Sequence, residues 1–413
     1  MILDPKILLI FILSATLPTS IVAQANHTSG YYNSPNSVDS LIEERTKEKK
    51  ASSFWDTASY ETWKHHLDET YGLNINADYH LVGFTASNSL SQKESLGGVL
   101  RIFSKWKAIN KDNPNTGSLI FKGEYRHAIS DVSPVDFGST LGYVGLVQST
   151  YSDQRFRLTN LYWQQKMNEG EVTISAGFLD VTDYLDVYIL SSPWNSFGNL
   201  VFATGSATIG VLPDSALGVM AGGWLSDSMY AVAGIVDAHS NPNDPFSGFN
   251  TLVNDFDTFK SIELGWTTGK ESLYFDNFHI SLWQIDARMA EGTKEGYGVS
   301  FSLTHTLTKN MLGFFRGGYS KDGGALLSKS LSTGFGYKID NSDDLLGVGL
   351  NWGEPNSEFY GEAPTQWTSE IFYRYQSSKH TQITPSVQLL KNPALNPDSN
   401  FIALFGLRLE VTF

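Results

Sequence analysis

Cysteine is absent from this 413-residue chain, which excludes a disulfide framework and thiol chemistry and leaves His, Asp and Glu as the strong metal ligands. Positive charge is also short. There are 29 Lys+Arg against 43 Asp+Glu, a net charge of −14, so the basic stripe that a nucleic-acid backbone requires is missing. Long apolar runs are missing beyond the first residues, and the mean hydropathy of −0.19 resembles that of a soluble protein. A membrane is not thereby excluded, because a barrel strand shows lipid only every second residue and its hydropathy averages out. Catalytic signatures are lacking as well: there is no phosphate-binding Gly-rich loop, no Gly-x-Ser-x-Gly elbow and no His-Glu-x-x-His. His65-His66 lies near Asp68 and Glu69, but adjacent histidines on a helix point apart. No catalytic, cofactor or metal residue is assigned, and the chain is read as a non-enzyme.

What is present is aromatic (13%) and rich in glycine (37 residues), a mix suited to short strands, eased bends and aromatic girdles. The first 25 residues have the form of a signal peptide. Lys6 precedes the apolar run from Ile7 to Leu17, which is too short to span a bilayer, and Ala23-Gln24-Ala25 supplies small residues for cleavage. Residues 26–70 are expected to form a polar, solvated periplasmic arm, partly helical, with Glu43-Glu44-Arg45 and Lys47-Glu48-Lys49-Lys50 close together. Tyr60, Trp63, Leu67 and Tyr71 fall at helical spacing, and their apolar face needs a surface. The end of a barrel is the favoured surface, and a plug inside a pore is the alternative.

From 71 to 413 the period is two, and the reading is an all-β, transmembrane antiparallel barrel. In the last segment Phe401, Ala403, Phe405, Leu407, Leu409, Val411 and Phe413 face one way, with Arg408 and Glu410 on the other. Segments of this kind recur, with Tyr274 opening one of them, to a total of about 16, and an even number closes a bacterial barrel. Residues 202–210 would make the count odd. Counting back from a last strand that ends in the periplasm, short turns alternate with long loops only if 180–215 is a single long external loop. That loop is the expected constriction.

Several motifs then become recognisable in order. They include Asn160-Leu161-Tyr162-Trp163-Gln164-Gln165, Gly177-Phe178-Leu179-Asp180, Phe315-Arg316-Gly317-Gly318-Tyr319 and Gly347-Val348-Gly349-Leu350-Asn351-Trp352-Gly353. Glu370-Ile371-Phe372-Tyr373-Arg374-Tyr375, Asn392-Pro393-Ala394-Leu395-Asn396-Pro397 and Phe405-Gly406-Leu407-Arg408-Leu409 follow. The run from Tyr71 onward resembles the carbohydrate-selective porins of the OprB type, most densely after Phe314. The resemblance implies a 16-stranded barrel that passes monosaccharides or other small sugars.

A sugar channel needs polar groups that replace hydration, aromatic faces that stack on sugar rings, and binding weak enough for release. Strand alternation turns Arg101, Lys105, Lys122, Glu124, Arg126, Glu370, Arg374, Arg408 and Glu410 inward. The long loop adds Asp180, Asp183, Tyr184, Asp186, Trp194 and Asn195, with Trp194 and Tyr184 as the preferred stacking residues. The function expected is selective passive diffusion of carbohydrates across the outer membrane of a Gram-negative bacterium. The alternatives are a general or anion-biased porin, or a barrel-anchored adhesin or receptor. Expected partners are small sugars, outer-membrane lipid and lipopolysaccharide, and the barrel assembly machinery, which reads an aromatic end such as Phe413. A homo-oligomer is compatible with the pattern, because lipid-facing and subunit-facing strands look alike.

Overall fold

A computed structural model describes residues 33–413 apart from 48, 50, 51, 53–56 and 211. The expected signal peptide, 1–25, lies outside the described residues. Two helices, α1 (Val38–Thr46) and α2 (Ala58–Tyr71), precede the strands β1 (Leu73–Ala86), β2 (Glu94–Ile109), β3 (Gly117–Ala128), β4 (Arg155–Met167) and β5 (Val172–Leu179). After a long interruption come β6 (Ala216–Ser226), β7 (Met229–Asp237), β8 (Thr258–Thr267), β9 (Asn277–Ile285), β10 (Gly296–Thr308) and β11 (Met311–Asp322). The last five are β12 (Leu327–Lys338), β13 (Leu345–Pro355), β14 (Gln366–Ser378), β15 (Thr381–Lys391) and β16 (Phe401–Thr412).

Each strand pairs with its sequence neighbours, and β1 pairs with β16, so the 16 strands close a barrel. All pairs are antiparallel, from Asp78↔Thr412 across the seam to Thr381↔Val411 beside it. Closure leaves no backbone edge to hydrocarbon, where each unpaired amide would cost several kcal/mol. The period-two reading holds on the wall. Along β16 the residues Phe401, Phe405 and Leu407 are exposed outward, while Ile402, Leu404, Arg408 and Glu410 are buried inward. Trp266 stacks on Phe278 at 5.9 Å on the outer face, and Trp106, Trp367, Tyr373 and Tyr375 add to the exposed aromatic surface.

Connections alternate in length. Those after β6, β10 and β14 are two residues long, whereas 129–154, 180–215 and 238–257 are long. Residues 202–210 lie in a loop and not in the wall: Leu200–Phe202 and Thr204–Ala207 form two 3-10 turns. The start of β9 differs from the expected Tyr274. Leu273 and Tyr274 do not open β9, which begins at Asn277; they fold into the barrel and are buried against α1.

The N-terminal helices also depart from expectation. The segment 33–46 is not a solvated arm. Val38 and Leu41 are buried in one cluster with Phe103, Ile120 and Tyr162, which point inward from β2, β3 and β4. The local signals are ordinary: Ser37 caps the helix by accepting from Ser40 N, Asp39 lies in the first turn and Arg45 in the last, each complementing the helix dipole. In α2 the chain stops at Gly72, whose φ of 68° is the left-handed geometry that glycine tolerates, and its N–H closes on Asp68 O at 2.9 Å. This helix rests on the barrel end through Asp68–Lys107 (3.4 Å) and a bond from Trp106 Nε1 to Tyr71 O (3.2 Å). The predicted apolar face is not covered, since Tyr60, Trp63 and Tyr71 remain exposed.

Candidate functional site in the barrel lumen

Strand register assembles the first part of the site. Asp78 on β1 is paired with Arg101 on β2, Arg101 with Glu124 on β3, and Glu124 with Arg157 on β4. Four neighbouring strands thus present a row of alternating charge, the arrangement in which cross-strand neighbours attract. Arg101 grips Asp78 with two bonds, Nε at 2.7 Å and Nη2 at 2.9 Å. Arg126 donates to Glu124 at 2.6 Å, and Arg157 binds Asp214. Lys105, Lys122 and Lys166 complete a basic wall on β2–β4, all buried from bulk solvent. Such paired charges face the lumen because on the lipid side a Lys or Arg would cost about 2–4 kcal/mol near the midplane.

Residues 180–215 cross this lumen. At the loop's start Asp183 faces Lys122 at 3.4 Å, and Asp180 lies 4.0 Å from the same ammonium. Burial pushes both carboxyls above the usual range, each further raised by a neighbouring acid and partly relieved by Lys122. Tyr184 is buried in the apolar cluster with Leu185, Val232 and Val236, away from Trp194. Asp186 reaches the far wall, where it binds Arg316 of β11 and His279 of β9 (2.9 Å), not the basic wall. Burial opposes its charge, but the Arg316 guanidinium and His279 prevail and hold the carboxyl below the ordinary range. Glu263 on β8 accepts from Asp186 N at 2.7 Å and from Tyr230 Oη at 3.0 Å.

The second half of the loop is held by backbone tethers. Glu370 accepts from the N–H groups of Gly198 (2.8 Å) and Asn199 (3.0 Å), and Arg374 donates to Asn195 O at 3.3 Å. Arg408 donates to Pro193 O and Ser196 O at 2.6 and 2.5 Å. Phe197 and Phe202 pack on β13 at Gly349, where a Cβ would stand 2.7 Å from the Phe202 ring. The glycine is the reason the loop can approach the wall this closely.

These tethers fix Trp194. The Arg101 guanidinium lies over its indole at 4.3 Å and Arg126 at 5.9 Å, while the rings of His80 and Tyr151 stand 5.0 and 5.3 Å away. His80 is 3.0 Å from Asp78, and Glu410 lies in the same cluster. The result is a set of planar faces next to charged hydrogen-bonding groups. Of the residues picked out from the sequence, Arg101, Arg126, Trp194 and Glu410 converge here; Lys105, Lys122, Asp180 and Asp183 lie around α1 and the loop's start; Asp186 is on the opposite wall.

Several residues escaped sequence reading. Asp78, His80, Arg157, Glu263, His279 and Arg316 carry the same alternation signal as the wall residues identified. Tyr151 carried none: it comes from the connection 129–154, which folds into the barrel. Its Tyr143 Oη lies 2.8 Å from Thr368 Oγ1, and Val147 O accepts from Gln388 at 2.8 Å. Asp78, His80 and Glu410 offer ligand atoms within 4.8 Å of one another, yet Arg101 and Arg45 already supply the positive charge there, Arg45 at 2.7 Å from Asp78 and 3.2 Å from Glu410.

A closed 16-stranded wall with a charged lumen and an inward-folded loop defines a porin. Residues 68–413 match the carbohydrate-selective porin, OprB family, and the chain belongs to that family. Among solved structures, the high-pH structure of Pseudomonas putida OprB aligns at 13% identity with a TM-score of 0.69, covering 89% of this chain and 100% of that one. A mutant of Rh. blastica porin aligns at 10% identity with a TM-score of 0.51, covering 83% of this chain and 100% of that one. At such identities the likeness shows the fold. No curated protein matches the chain.

Proposed function

We propose that this protein is an outer-membrane porin through which small sugars diffuse passively, and that they are selected at the Trp194 cluster. The observation that carries the reading is Trp194 itself, an indole held by loop tethers between Arg101, Arg126, His80 and Tyr151. The cluster is closed in this structure, with Trp194 7% exposed and Arg101, His80 and Tyr151 buried, so a pyranose stacks its apolar face on the indole and meets the guanidinium and carboxylate groups once the cluster opens. Each contact is individually weak, so the solute is recognised and still released. Residues 180–215 act as the constriction, with Glu370, Arg374 and Arg408 as its anchors.

In this reading the short-turn end faces the periplasm and carries α2, and the long loops face outward. The outer face meets lipid and lipopolysaccharide, the assembly machinery reads Phe413, and the barrel wall is free to pair with copies of itself. The experiment is single-channel conductance of refolded protein titrated with glucose, maltose and a non-sugar osmolyte. Saturable block by a sugar and none by the osmolyte is the expected result; equal indifference to all three would overturn selectivity. The basic wall on β2–β4 favours the second reading, an anion-biased general porin, which predicts strong anion over cation permeability with no sugar block.

A further inference from the structure

Residues 33–46 lie outside the segment that matches the family. Their contacts cross the bore. At one end Asn33 O accepts from Tyr274, in the connection between β8 and β9. At the other, Arg45 binds Asp78 of β1 and Glu410 of β16. In a ring of 16 strands β9 stands eight places from β1, so the elements that supply these anchors rise from opposite sides of the barrel, with Tyr274 reaching inward from its side to the segment.

Between the anchors the segment is fastened to the basic wall and to the internal loop. Asp39 bridges Lys105 (2.5 Å) and Lys166 (3.4 Å), Asn36 O accepts from Lys122 at 3.3 Å, and Ser34 N donates to Asp183 O at 2.7 Å. Beneath α1 the wall carries an apolar patch. Register places Lys105, Ile120 and Tyr162 side by side across β2, β3 and β4, with Phe103 next to them, and Val38 and Leu41 pack on this patch. Inward-facing Phe103, Ile120 and Tyr162 are covered by the segment that rests on them. The hold is nonetheless of a releasable kind. Only Val38 and Leu41 of α1 are fully buried, with Ile42 packed beside them, and the remaining hold is a few hydrogen bonds and ion pairs whose attraction is largely offset by desolvation.

We propose that residues 33–46 are a built-in plug that obstructs the short-turn half of the channel, with Arg45 occupying the acidic residues beside the Trp194 cluster, and that conduction requires the segment to withdraw. This goes beyond the sugar reading: it needs the chain to be a channel but not a sugar-selective one, so it is tested with salt alone.

The full chain is compared in planar bilayers with a variant lacking residues 33–46, folding being checked by the heat-dependent gel mobility of the barrel. The variant is expected to conduct several-fold more KCl current per channel, with fewer closures. Because a deletion can impair folding, a second test keeps the segment. The natural chain has no cysteine, so Asp39→Cys with Lys105→Cys, joined by a short bis(methanethiosulfonate) that forms a disulfide with each thiol and expels a sulfinate from each end, locks α1 in place until a reductant cleaves it. The locked channel should lose most of its conductance and regain it on cleavage. A folded deletion variant that conducts like the full chain, or a locked channel that conducts like its unreacted form, would overturn the proposal.

Discussion

Trp194 and Arg316 illustrate two ways a single side chain can matter in this lumen. Trp194 contributes a face. Replacing it with Ala removes the stacking surface and the cation–π partner of Arg101, an effect of about 1–2 kcal/mol when desolvated. The concentration of glucose giving half-block should therefore rise roughly tenfold while KCl conductance does not fall; an unchanged half-block concentration would remove Trp194 from the site. Arg316 contributes a tether. It donates to Asp186 and to the carbonyls of Phe202 and Ala203, and it lies 4.0 Å from the Tyr188 ring. Arg316→Ala leaves Asp186 buried beside His279 without its main counter-charge, and breaking one side of a buried pair costs about 3–5 kcal/mol. The loop 180–215 should then become cleavable by added protease at concentrations that spare the parent protein.

Among the elements, the strands were legible and α1 was not, and the reason is where the partners lie. A strand declares itself locally, since outward apolar residues alternate with inward ones that are often polar, as Leu407 with Arg408 and Leu409 with Glu410, and the nine inward wall residues came from that alternation alone. The entry of 180–215 into the loop count followed from parity. By contrast α1 is polar and short, and its charges look solvated until Lys105, 66 residues away, and Glu410, 365 residues away, are brought next to them. Tyr151 was hidden for the same reason, its neighbours being set by tertiary contact. Docking of α1 has a pH signature. Burial works against the charge of Asp39, but Lys105 and Lys166 outweigh it and hold the carboxyl well below its ordinary range, with Gln164 and Asn33 also facing it. Released, Asp39 returns to about 3.9. Its contribution is thus fully present above about pH 4 and is lost as pH falls toward the depressed value. Asp39→Asn should conduct more KCl current than the parent at pH 7, and the difference between the two should close as pH falls below about 4; equal conductance at pH 7 would contradict this.

At the scale of the whole molecule, one chain serves two solvents by alternation. The outer face is apolar and aromatic, and the interior is a charged lumen crossed by loops. Ile371 lies on the outer face of β14 between Val348 and Val387. Ile371→Arg should lower the stability of the vesicle-inserted barrel by about 2–4 kcal/mol, read from urea titration of folding, if that face meets hydrocarbon near the midplane. A shift near zero would place lipid elsewhere. Conduction with small sugars occupying the constriction on the way through is the proposed activity, and it is read from the current of single refolded channels as glucose is added at constant salt, against an osmolyte of similar size. Conductance should fall to a plateau with glucose and not with the osmolyte; a current equally unaffected by both, from correctly folded protein, would show that no sugar site lies in the conducting path.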